Sequence, residues 1–260
     1  MIPFSSLLRG AIAALALTGL AAPAQADVLD DVMAKGVLRV AVVQDYPPFG
    51  SAGPDMKPVG YDIELAELLA EAMGVKVELV VVTTANKIPY IISLRADVLL
   101  NVGYNDERAK VIDFSEPYAP YYIGVFGPPD IKVGAITDLA GKTIATTRGT
   151  IEELVLSKSA PAGAELKRYE DNASTIAAFL SGQTQLVVIG NIVAAAMIDK
   201  KPARQPEQKL LLFNSPVRSA VLKGEARLLE KTNAAIAGLK KDGTLAAMSL
   251  RWLKQPLPEF

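Results

Sequence analysis

Arg108 opens the segment Asn105 to Tyr118 (NDERAKVIDFSEPY), directly after the apolar run Ala96 to Val102 and ahead of a Phe-Ser-Glu-Pro-Tyr corner. A guanidinium presents a planar fork of donors that suits a carboxylate bidentately. From spacing alone, a surface arginine paired with Glu107 or Asp113 is the simpler reading. Gly149-Thr150 stands before a helical pattern with Glu152 and Glu153 in its first turn, where the helix dipole favours acids. Such a start offers free N–H groups and a hydroxyl to an anion, or Thr150 merely caps its own helix. Tyr46, in the loop Asp45-Tyr46-Pro47-Pro48-Phe49, reads from its neighbours as a loop aromatic packed on Pro47 or Pro48. Asp45 either meets a cationic ligand group or stabilises the turn. The 260 residues include no His and no Cys. That excludes a Ser-His-Asp triad and argues against a zinc or haem site, so neither metal nor cofactor is expected.

The elements that must position these residues alternate. Val37 to Val43 reads as a buried strand. A turn-rich segment leads to a helix capped by Asp62, with Leu65, Leu68, Leu69, Ala72 and Met73 on one stripe and Gly74 at its end. Val75 to Val82 is the next strand. Ile88 to Ser93 is a short helix, with Leu94 where a terminating glycine would be expected. After Gly127-Pro128-Pro129 the alternation restarts: strands at Lys142 to Thr146, Glu165 to Tyr169, Gln185 to Ile189 and Lys209 to Phe213, with a helix capped by Ser174 and ended by Gly182. Lys223 to Leu253 is helical and is broken at Asp242-Gly243. This predicts two doubly wound α/β lobes.

Residues 1–26 read as a signal peptide: Arg9, the apolar Gly10 to Ala22, and the Ala24-Gln25-Ala26 cleavage pattern. The mature chain then begins at Asp27 and is exported, most simply to a bacterial periplasm. With no disulfide possible, its stability must come from a core. The formal charge of −1, without a basic run, makes nucleic acid and anionic membrane poor partners.

Five blocks in order resemble the bacterial extracellular solute-binding proteins of family 3, the receptors of polar amino acid importers. They are VLRVAVVQDYPPF ending at Phe49, Val59 to Val80, Asn105 to Tyr118, Asp138 to Thr150 and Lys223 to Leu253. The resemblance implies two lobes joined by a two-segment hinge (the type II periplasmic binding protein fold), lobe one from residues 27–122 plus 219–260 and lobe two from 123–218. The crossings are expected near Tyr121 to Val125 and Pro216 to Ala220. It implies that Arg108 holds a ligand carboxylate, that Gly149 and Thr150 assist, and that Tyr46 covers the ligand. The partners implied are a small carboxylate or amino acid ligand and an inner-membrane ABC permease, with the receptor a monomer.

The chain also departs from that pattern. Where amino acid binders carry an Asp for the α-ammonium, after the strand reading QLVVI, it has Gly190-Asn191. Asn191 can accept a hydrogen bond but lacks the charge. The aromatic expected within Val82 to Asn86 is missing, and the loop Asn101 to Asn105 is one residue short, leaving Asn101, Tyr104 and Asn105 for its polar work. Either the ammonium is met elsewhere, by Asp171 or Asp45 for instance, or the ligand lacks one. Two other roles fit the same fold: a dehydratase of prephenate-like carboxylates with Asp171 or Glu170 as general acid, or a sensing subunit for a chemoreceptor or kinase.

Overall fold

The computed structural model describes residues 27–260, so the expected signal peptide lies outside the described residues. Among the described residues no helix is long and apolar enough to cross a membrane. Two five-stranded sheets share one strand order. In the first, Val37–Val42 runs parallel between Lys76–Val81 and Val98–Val102, and Val217–Leu222 and Ile112–Ala119 complete the sheet antiparallel. In the second, Thr143–Thr147 runs parallel between Glu165–Tyr169 and Leu186–Gly190. Tyr122–Gly127 and Glu207–Asn214 extend that sheet antiparallel. The β-branched Val37–Val42 run is buried at alternate positions and then continuously, as a strand covered on both faces requires.

The chain passes between the sheets twice, through Pro120-Tyr121 and through Ser215-Pro216. Each crossing begins one residue ahead of the expected range and overlaps it, at Tyr121 and at Pro216. Tyr122 already pairs with Asn214 in the second sheet, and Val217 with Ala119 in the first. The expected boundary at residue 218 therefore falls inside a strand. The Phe-Ser-Glu-Pro-Tyr stretch is no corner but part of the strand Ile112–Ala119.

Two expected caps are displaced. Gly60, at φ +142°, is the N-cap of helix Tyr61–Ala72. A side chain there would meet the Phe49 carbonyl at 2.4 Å, so only glycine lets the helix start beneath the Tyr46–Phe49 loop. Asp62 falls in the first turn instead and points into the interior. Helix Asn172–Leu180 is capped three residues before Ser174, where Asp171 accepts the Ser174 N–H at 2.6 Å.

Helix Lys87–Ile92 ends as the sequence warned. Leu94 takes φ +54° with its side chain exposed, the left-handed conformation a glycine would adopt freely. Leu94→Gly is expected to gain roughly 0.5–1 kcal/mol in urea unfolding, relief of the left-handed backbone outweighing the entropy that glycine adds to the unfolded chain.

Candidate functional site

The carboxyl ends of the central strands of both sheets meet at a cleft, and Arg108 lies in it. Asn105 caps the one-turn helix Asp106–Ala109 by accepting the Arg108 N–H at 2.7 Å. This aims the guanidinium between the lobes. Nη1 donates to Gly103 O at 2.8 Å in its own lobe, and Nη2 to Gly149 O at 2.9 Å in the other. The surface-pair reading fails: Glu107 pairs with Lys110, and Asp113 with Lys223. Arg108 forms no ion pair among the described residues, and burial lowers its pKa.

Gly103 and Gly149 permit this closeness. A side chain at Gly103 would come within 2.8 Å of Ile151 Cγ2, and one at Gly149 within 3.1 Å of Ala85 Cα, in each case an atom of the facing lobe. Thr150 is buried, with its hydroxyl committed: it donates to Thr147 O at 2.8 Å and accepts the Glu153 N–H at 3.1 Å. Its hydroxyl is thus a cap. The N–H groups of Ile151 and Glu152 carry no partner among the described residues and face the same cleft.

The other predicted residues divide. Tyr46 lines the cleft and stacks on Phe49, with ring centroids 6.3 Å apart. Asn101 lines it in a left-handed conformation, φ +56°. Asp45 sits behind the wall and ties the lobes together, accepting the Asn172 N–H at 2.8 Å and its Nδ2 at 3.1 Å. Tyr104 is not in the cleft: it is exposed, packs on Phe114 and donates to Asp106. Asn191 is not there either, because its Oδ1 accepts the Tyr122 N–H at 2.9 Å beside the crossing strand. Arg148 pairs with Glu170 in solvent.

Sequence reasoning missed the rest of the lining. Glu152, read as a dipole-favoured first-turn acid, is buried in the cleft. Its Oε1 accepts the Tyr121 hydroxyl and the Tyr46 hydroxyl, the latter at 3.1 Å. Burial, and then the Glu152 charge, hold both phenols well above the ordinary tyrosine pKa. Lys87 is buried, with Nζ donating to Asn101 O at 2.8 Å, and burial brings its pKa down to about 8. Asp62 backs this wall, accepting Asn101 Nδ2 at 3.1 Å and the Tyr118 hydroxyl at 2.7 Å. Ser215, in the second crossing, lines the cleft with a buried hydroxyl that has no partner among the described residues. The signals of Glu152 and Lys87 were present as residue types, but they depend on partners 106 and 14 positions away.

Residues 38–255 match the sequence model of the bacterial extracellular solute-binding proteins, family 3. The chain belongs to that family. It is 30% identical over 254 residues to the L-cystine-binding protein TcyJ of Escherichia coli (strain K12), covering 94% of each chain. Two solved structures share the family 3 architecture. One is a solute receptor for L-cysteine of Neisseria gonorrhoeae, 31% identical, TM-score 0.80, over 86% of this chain and 93% of that one. The other is an ancestral arginine-binding protein bound to arginine, 34% identical, TM-score 0.77, over 84% of this chain and 98% of that one. The fold is the type II periplasmic binding protein fold.

Within that frame Gly190 has a steric cause. A Cβ built there would lie 1.9 Å from Cζ of Tyr121. Gly190→Ala is expected to cost about 1–3 kcal/mol in urea unfolding by overpacking. In a double-mutant cycle, Tyr121→Ala should remove most of that penalty, since the two positions share one volume.

Asp62 gives a pH test. Burial raises its pKa from 3.8 to about 6, so the folded state holds the proton more tightly than the unfolded state. Stability from this group is fully present below about pH 4 and is lost as pH rises through about 6. Asp62→Asn cannot titrate there. Its stability relative to the parent should improve between pH 4 and pH 7, by up to about 3 kcal/mol. Urea midpoints at the two pH values measure this.

Proposed function

We propose that the protein is the periplasmic receptor of an ABC-type importer and captures an amino acid or amino acid-like solute by lobe closure. The observation that carries this reading is Arg108, a cleft guanidinium bonded to one carbonyl from each lobe and paired with no carboxylate among the described residues. A ligand carboxylate would supply the missing counter-charge and take the unpartnered N–H groups of Ile151 and Glu152 as well. The relatives named for L-cystine, L-cysteine and arginine support an amino acid over a plain carboxylate.

Charge balance narrows the ligand. The cleft carries Lys87 and Arg108 against Glu152, with Asp62 directly behind Lys87. Two cations facing two carboxylates suit a ligand that is neutral overall, namely a zwitterion with an uncharged side chain. Closure follows from placement: Asp45 and Tyr46 bond across the cleft to Asn172 and Glu152, so binding that favours the closed form shifts the two-lobe equilibrium. The crossings at Pro120-Tyr121 and Ser215-Pro216 form the hinge. Cleavage after Ala26 delivers the receptor to the periplasm, where it acts as a monomer and presents its closed form to the permease.

The dehydratase reading loses the two acids that the sequence offered it. Asp171 is engaged as a helix cap and Glu170 pairs with Arg148, and neither lines the cleft.

Calorimetry against the twenty standard L-amino acids and L-cystine tests the proposal. Arg108→Ala is expected to weaken the best binder at least tenfold, about 1.4 kcal/mol. Unchanged affinity in that variant would sink the carboxylate assignment.

A further inference from the structure

We infer that Glu152, held by the Tyr46 and Tyr121 hydroxyls, is the seat for the ligand's α-ammonium, and that the negative charge expected at the end of the strand Leu186–Gly190 has moved to it. This rests on the amino acid reading above.

Three observations converge. First, residue 190 has no room for an acid, because the Tyr121 ring occupies the volume its side chain would fill, with Oη 2.1 Å from the Cβ position. Second, the same hydroxyl reaches Glu152, and the Gly190 N–H lies 3.4 Å from Tyr46 Oη. Gly190, Tyr46, Tyr121 and Glu152 therefore form one contact group, with the carboxylate supplied by the helix Ile151–Ser159 instead of by the strand. Third, the carboxylate is buried at 5% exposure, yet it forms no ion pair among the described residues. Oε1 accepts the Tyr121 hydroxyl and lies 3.1 Å from the Tyr46 hydroxyl, the two hydroxyls also contact each other, and Oε2 has no hydrogen-bond partner among the described residues. Lys87 and Arg108 feel this charge across the cleft without touching it, so a cation in direct contact relieves part of the cost of burying the carboxylate.

The donor chemistry selects the cation. A primary ammonium has three N–H donors, so it can bond Oε2 and still reach a phenol oxygen. Arg108 stands in the same cleft with its own counter-charge missing. The two sites read the two ends of a zwitterion, one by a guanidinium carried on lobe one and the other by a carboxylate carried on lobe two. The phenols tie that carboxylate to lobe one through Tyr46, so the ammonium seat is complete when the lobes are closed.

The test compares matched ligands within one protein preparation, so a partial loss of folding lowers both affinities and leaves their ratio intact. The twenty standard L-amino acids and L-cystine are screened by calorimetry. The best binder is then paired with the α-hydroxy acid bearing the same side chain. The wild type should prefer the amino acid at least tenfold, and Glu152→Gln should reduce that preference to about threefold or less. A preference that survives in Glu152→Gln, or a wild type that binds both partners equally, overturns the inference while the carboxylate role of Arg108 stands. Amino acid affinity left unchanged by Arg108→Ala overturns the parent reading, and failure of every amino acid to bind overturns both. Glu152→Asp provides the conservative control: it keeps the charge and should retain part of the preference.

Discussion

The closed cleft is organised around a guanidinium that has no carboxylate to meet. Arg108 is held by carbonyl oxygens of two lobes at 2.8 and 2.9 Å. Carbonyl dipoles solvate a cation but do not neutralise it, and partial burial raises the cost of leaving it so. Much of the neighbouring backbone follows from this contact. Gly103 and Gly149 must present their oxygens at close approach, and each faces an atom of the other lobe where a side chain would sit. Asn105 fixes the short helix that carries Arg108, and Thr150 spends its hydroxyl fixing the helix that starts beside Gly149. Both caps serve to hold a charge and a helix N-terminus against the same space.

Around this cation the acidic groups are layered. Asp62 is kept from solvent by Tyr118 and Asn101, and its charge opposes Lys87 without reaching the ligand space directly. Glu152 reaches that space from the opposite lobe. Lys87, with a pKa lowered to about 8 by burial, stays largely charged at neutral pH. One carboxylate therefore backs a wall and the other lines the cleft, although both are buried acids of one residue class. Environment decides their roles, since hydrogen bonds satisfy both oxygens of Asp62 but one oxygen of Glu152.

The alternation of strands and helices was legible because each element carries its period and its turn residues locally. The strands at Val37–Val42 and Leu186–Gly190 lie where the apolar and β-branched runs predict, and the C-terminal helices break at Gly243, φ +84°. Arg108 was legible through the blocks around it. Errors arose where a non-local contact competes with a local rule. Asp62 has the look of a cap, but Gly60 starts the helix and turns that carboxylate inward. Ser174 gave way to Asp171 for the same kind of reason, a better acceptor three residues earlier. Tyr104 and Asn191 carry suitable groups at suitable positions along the chain, yet Phe114 and the Tyr122 N–H draw them out of the cleft. Glu152 and Tyr121 were unreadable as site residues, since their meaning arises where a first-turn helix acid meets a hinge tyrosine 31 positions away.

That meeting links the hinge to the ligand. Tyr121 belongs to the first crossing between the lobes, where its carbonyl accepts the Ser215 N–H of the second crossing at 3.0 Å. Its ring fills the space beside Gly190, and its hydroxyl ends on Glu152. Tyr46 extends the chain of contacts from the same carboxylate into the core of lobe one, through Phe49 and then Tyr61. A charge brought to Glu152 therefore acts on a continuous packed path that includes both crossings. Packed aromatic contacts of this kind resist gradual deformation, so the lobes are expected to move between distinct arrangements instead of sliding. In the proposed receptor the consequence is a division of labour within one cleft: Arg108 would supply attraction across the gap, and the tyrosine–glutamate cluster would report its occupancy to the crossings.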